Sequence, residues 1–132
     1  MFFVLTKFNM ANKKSLIAVK VLSKIIKFYF LKIFYGFEYL LEKKPNFKKK
    51  IFNKESIFLY SNYISKKLNI NSCFTSSLVI RELLQENGFT AKIEIGIKKV
   101  NGNMVSHCWV SSGGIYNETK EVRQSFRILN TK

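Results

Sequence analysis

The sequence predicts an α+β fold, with N-terminal helices followed by a cysteine-bearing helix packed on a small antiparallel β-sheet. Three observations predict it. A proline-free apolar stretch fills residues 15–42. Near Thr90 the apolar period changes from about 3.6 residues to about 2, the change from a helix to a half-buried strand. Asn101-Gly102 then separates two alternating runs, a strong signal for a two-residue hairpin turn.

The first helix falls in residues 15–42. Lys20, Lys24, Lys27 and Lys32 interrupt its apolar run, and each would be costly at a bilayer centre, so it is not read as a membrane span. Lys13, Lys20, Lys24 and Lys27 fall on one side at helical spacing, which describes a core helix with a solvated lysine stripe; a helix lying on a membrane surface is the alternative. Residues 43–55, KKPNFKKKIFNKE, hold the only proline, Pro45, and read as a charged connector. A further helix follows, with Ile57, Leu59, Tyr60, Tyr63, Ile64 and Leu68 near helical spacing.

The next helix is the best punctuated. Asn71 or Ser72 can cap it, Gly88 can end it, and Cys73 falls in its first turn on a stripe with Ser77, Ile80 and Leu84. Beyond it, Ile93, Ile95 and Ile97 alternate with polar residues and glycine, MVSHCWVSS forms the return strand, and Ser112-Gly113-Gly114 turns the chain into IYNETKEV. The expected sheet is a three-stranded meander.

Charge divides the chain where the fold does. Residues 1–67, a basic helical region, carry 15 Lys against 3 Glu, whereas the core, residues 68–132, carries 8 Lys and Arg against 5 Glu. A net charge of +12 on the first half calls for an anionic partner: a membrane surface, nucleic acid or an acidic protein. No nucleic-acid motif is present, and nucleic acid is not expected. With 47% hydrophobic residues the chain can build a core, which excludes a disordered tail. Its two cysteines, Cys73 and Cys108, are too few for a disulfide framework and lack metal-ligand spacing. A cytoplasmic, reducing home is expected, with possible attachment to a membrane surface, and the N-terminus lacks the pattern of a signal peptide.

Cysteine chemistry needs a thiolate, which a helix N-terminus and a neighbouring imidazolium both favour. Cys73 has the first by position, and His107, the only histidine, can provide the second. Alternation puts His107 and Trp109 on one strand face and Cys108 and Val110 on the other, so Cys108 is read as a packing residue on the isoleucine face. The imidazole needs an acceptor for its far nitrogen. All eight acidic residues are glutamate, and Glu118 is directly opposite His107 if the turn is Ser112-Gly113, or diagonal to it on the same face if the turn is Gly113-Gly114. A three-residue loop would aim Asn117 or Thr119 instead.

These residues carry a resemblance. The order of Cys73-Phe74 at a helix start, Gly88-Phe89-Thr90, Ile95-Gly96-Ile97, His107-Cys108-Trp109-Val110-Ser111 and Tyr116-Asn117-Glu118 resembles the leader-peptide proteases of lasso-peptide biosynthesis. Those proteases have a transglutaminase-like, broadly papain-like cysteine fold. The resemblance implies a cysteine peptidase that removes the leader from a ribosomally synthesised precursor peptide, with Cys73 as nucleophile and His107 as general base. Glu118 stands where the family has aspartate, and Asn117 is the alternative third member. The Cys73 backbone N–H, with Asn71 or Asn69, would meet the oxyanion. It also implies two partners, a separate leader-recognition protein and an ATP-dependent lasso cyclase, and no metal or organic cofactor. Two rival classes remain: a transglutaminase-like acyltransferase or amidase using the same three residues, and a non-enzymatic basic protein binding membrane or nucleic acid.

Overall fold

A computed structural model describes residues 2–42, 50–68 and 73–131. The chain runs through α1 (Phe2–Phe34), α2 (Phe37–Glu42), α3 (Lys54–Lys67), α4 (Cys73–Glu86), β1 (Lys92–Val100), β2 (Asn103–Ser112), β3 (Ile115–Tyr116), α5 (Lys120–Ser125) and β4 (Arg127–Thr131). It is an α+β fold with one four-stranded antiparallel sheet, ordered β3-β2-β1-β4.

The central element is α4, whose side chains from Leu78 to Leu84 are all buried. One hydrophobic cluster joins it to α1 through Ile17, Val21, Ile25 and Phe28, to α3 through Ile57 and Phe58, and to the sheet through Ile93, Cys108 and Val110. The four α1 residues recur every three or four positions, the spacing of one helix face. A second arc of the same helix, including Val19, Leu22, Ile26 and Tyr29, is exposed.

The long apolar stretch is two helices, not one. Tyr35 N–H closes α1 on Leu31 O, and Leu40 N–H opens α2 on Gly36 O. Glycine costs about 1 kcal/mol in a helix interior, and a bend at Gly36 turns Leu40 and Leu41 into the core. Their carbonyls, left without helical partners at a helix end, accept 2.8 and 2.6 Å hydrogen bonds from the buried Arg81 guanidinium.

The lysine stripe also differs from expectation. Lys24 Nζ lies 2.9 Å from Glu86 Oε1 and 3.2 Å from Glu82 Oε1, and Lys27 Nζ is 2.6 Å from Glu82. Glu82 and Glu86 are buried on α4, so Lys24 ties α1 to α4 largely out of water, while Lys27 pairs with Glu82 and stays exposed. No helix among the described residues is long and apolar enough to cross a membrane. The first part of the charged connector, with Pro45, and the Asn71 and Ser72 caps lie outside the described residues.

Helix α3 begins at an Asn53 cap that accepts Ser56 N–H at 2.8 Å. It buries Ile57, Phe58 and Ser61, while Leu59 and Tyr63 are exposed. Helix α4 ends as expected at Gly88, in the left-handed region at φ 85°, with Phe89 N–H bonded to Leu84 O.

In the sheet, the Asn101-Gly102 turn has both residues at positive φ, and Gly96 faces His107 while Ile95 faces Cys108. Gly113 and Gly114 are likewise at positive φ, with Ser112 facing Ile115, so the second turn is Gly113-Gly114. The expected third strand is only two residues long. Beyond it Thr119 caps α5 through Val122 N–H, and β4 then pairs with the far edge of β1. The three-stranded meander is thus corrected to a four-stranded sheet. A six-residue helix is too short to show periodicity against the preceding strand signal.

Replacing Lys24 by alanine strips one cation from two buried carboxylates, a change that costs about 3 kcal/mol where a buried ion pair is broken. Urea denaturation of Lys24→Ala should show a loss of that order, whereas Val19→Ala, on the exposed arc of the same helix, should change stability by less than about 0.5 kcal/mol.

Candidate active site

Cys73 is the first residue of α4, where the unpaired N–H groups of a helix start favour an anion. Its sulfur meets the edge of β2. The Cys108 thiol donates to it across 3.2 Å, and the Cys108 backbone N–H and the His107 side chain also act on it in favour of the anion. That edge is open because β3 stops at Tyr116. Residues 108 and 110 present their backbone groups to the same side of β2. Val110 N–H is taken by Asn117 Oδ1 at 2.7 Å, and Val110 O accepts from Asn117 N–H. At Cys108 the chain has already turned away, and the sulfur occupies the place of a strand partner.

His107 Nε2 lies 2.7 Å from Glu118 Oε2, which leaves Nδ1 for the Cys73 side. Glu118 reaches across diagonally, as the Gly113-Gly114 turn requires. Its position is fixed locally: Thr119 N–H donates to Glu118 Oε1 at 3.0 Å, and the Arg123 guanidinium donates to Glu118 O and stacks on Tyr116. Asn117, bonded to Val110, serves the strand ladder. Asn69 and Asn71 lie outside the described residues.

The face carrying His107 is covered rather than open. Phe126, between α5 and β4, sits 5.6 Å from the imidazole centroid, and Trp109 sits 5.9 Å from it. Trp109 is fully buried, and its indole N–H donates to Glu94 Oε2 at 2.7 Å. The aromatic cover needs Gly96: a Cβ there would come within 2.6 Å of Phe126 Cβ and 3.1 Å of Trp109.

Electrostatics follow from these contacts. The Cys108 thiol, the strongest influence, lowers the Cys73 pKa to about 5 against the opposing pull of burial, with further help from the Cys108 backbone N–H and His107. The reciprocal effect pushes the Cys108 thiol far up, because its proton is shared with an adjacent thiolate and because it is buried. Burial pulls His107 down, but hydrogen bonds with Glu118 and Cys73 outweigh it and leave its pKa raised. Glu118 moves down: burial opposes ionisation, and His107, the Thr119 N–H and Arg123 overcome it. The three shifts all favour thiolate, imidazolium and carboxylate in a row, a combination able to attack a carbonyl carbon and to return a proton to a leaving group.

The Cys108 contact was missed from sequence. Its face was read correctly, since Ile95 and Cys108 pair on the side that packs against α4. Alternation gives the face of a strand residue but not how far along the facing helix it lands, so the meeting of two sulfurs left no signal.

The rate of Cys73 alkylation by iodoacetamide should rise with pH around a midpoint near 5. In Cys108→Ala that midpoint should move upward. A wild-type midpoint near that of an ordinary thiol would mean that the thiolate cradle does not form.

A family model described as the transglutaminase-like superfamily matches residues 59–131. No curated protein and no solved structure matches the chain. The chemistry of the superfamily is of cysteine-protease or acyl-transfer type, and both reactions begin with the thiolate attack that this geometry allows. The match begins within α3 and continues to the end of β4, over more than half of the residues, so that the cysteine helix and the whole sheet fall inside it: the chain belongs to the transglutaminase-like superfamily.

Proposed function

We propose that the protein is a cysteine peptidase that cleaves the leader from a ribosomally synthesised, lasso-type precursor peptide. The observation that carries the chemistry is the 2.7 Å contact between His107 and Glu118 beside the Cys73 sulfur. The lasso-type substrate rests on the sequence resemblance. In this reading the Cys73 thiolate attacks the scissile carbonyl, His107 protonates the leaving amine and then activates water, and Glu118 keeps the imidazole oriented and offsets its charge. The Cys73 backbone N–H and a second donor, Asn71 or Asn69, meet the oxyanion. No metal or organic cofactor enters the reaction.

The reading entails a leader-recognition protein and an ATP-dependent lasso cyclase as partners. Support for a docking role comes from the net charge of +12 on residues 1–67 and the exposed apolar arc of α1. The recognition protein or the acidic part of the leader is the expected occupant, with an anionic membrane surface as the alternative. Capture of the recognition protein by the full chain should weaken between about 0.05 and 0.5 M salt, as the screening length shrinks. Binding indifferent to salt would remove the electrostatic part of this proposal.

Precursor and recognition protein incubated with the enzyme should yield core peptide by mass. Cys73→Ala should yield none, and Glu118→Gln should lower turnover by about a hundredfold without unfolding the chain. A larger loss in well-folded Asn117→Ala would transfer the orienting role to Asn117. Turnover should rise through about pH 5 as Cys73 ionises and fall again at a pH above the ordinary histidine range, where His107, its pKa raised by Glu118 and Cys73, loses its proton. Addition of a primary amine separates the two superfamily reactions: an amide-linked product in place of the free acid would mark an acyltransferase.

A further inference from the structure

The chain has two cysteines, both free, and their sulfurs lie 3.2 Å apart. Nucleophilic attack on a carbonyl needs one of them. Their environments differ in a way that suits sequential oxidation: Cys73 is partly exposed at the head of α4, and Cys108 is buried behind it, against Ser77. An oxidant entering from solvent meets the Cys73 sulfur first. The second thiol is already in contact.

We infer that Cys73 and Cys108 form an oxidation site at which hydrogen peroxide closes an intramolecular disulfide. In the first step the Cys73 thiolate attacks one peroxide oxygen and the O–O bond breaks. The departing hydroxide takes the His107 proton and leaves as water, and Cys73 becomes a sulfenic acid. This removes the negative charge that held the proton on Cys108. In the second step the Cys108 sulfur attacks the Cys73 sulfur, the S–O bond breaks, and the hydroxide leaves with the Cys108 proton as a second water. Two electrons pass from the sulfur pair to peroxide. Bond formation needs the sulfurs to approach by about 1 Å. A dithiol reductant returns both thiols by exchange and is itself oxidised to a disulfide.

The disulfide ties up the attacking sulfur and prevents its further oxidation. Its effect on turnover rests on the catalytic role proposed for Cys73, but its formation does not. The test therefore uses no substrate. Reduced full-length protein is treated with one equivalent of hydrogen peroxide, then examined by intact mass and thiol titration under non-reducing conditions. The expected product is a monomer lighter by two hydrogen atoms, with both thiols lost together and both recovered in dithiothreitol. Cys108→Ala and Cys108→Ser should instead gain oxygen on Cys73 or form linked dimers. A wild-type product that gains oxygen while Cys108 stays titratable, or that links two chains, overturns the inference. A chain that closes the disulfide yet never cleaves precursor overturns the peptidase reading and leaves this one standing.

Discussion

Negative charge on the Cys73 sulfur requires hydrogens near it, and β2 supplies the closest from the Cys108 thiol, with the Cys108 backbone N–H adding to the effect. The rest of the site is arranged so that this edge of β2 remains unpaired. Strand β3 ends after Tyr116, and the Asn117 side chain completes the ladder at Val110. The chain then leaves the sheet through the Thr119 cap into α5, and that departure brings Glu118 back across to His107. A longer third strand would cover the Cys108 N–H and carry Glu118 out along the sheet.

Holding α4 against β2 is the second requirement, because a small shift of the helix start would separate the sulfurs. The helix is anchored along much of its length. Apolar side chains pack it against α1, α3 and the sheet, while Arg81, Glu82 and Glu86 tie it to α2 and α1 through charge-assisted hydrogen bonds. Buried ions add little net stability compared with apolar packing, but they tolerate few geometries. In this protein they fix the axial position of a helix whose apolar surface alone would permit sliding.

Much of this was legible in the sequence where a local rule applies. The Gly88 stop, the Asn101-Gly102 hairpin and the pairing of Gly96 with His107 all follow from backbone preferences and period-two alternation. Glu118 was reachable because all eight acidic residues are glutamate and either two-residue turn, Ser112-Gly113 or Gly113-Gly114, leaves it on the His107 face. Only the structure selects Gly113-Gly114. What was not legible depends on long-range packing. Nothing in Lys24 or Lys27 distinguishes a solvated lysine from one facing a glutamate more than fifty residues away. The Phe126 cover over Gly96 depends on β4 crossing to the far side of β1, a pairing with no local turn to announce it.

The burial of Trp109 gives the site a built-in optical label. It is the only tryptophan, so the protein's indole emission comes from one place, 5.9 Å from the imidazole and hydrogen-bonded to Glu94. Enclosed from water, that ring emits toward the blue, and a nearby imidazolium quenches an excited indole more strongly than neutral imidazole does. A change in the charge on His107 is therefore expected to register in the fluorescence of this chain, without a dye and without a substrate.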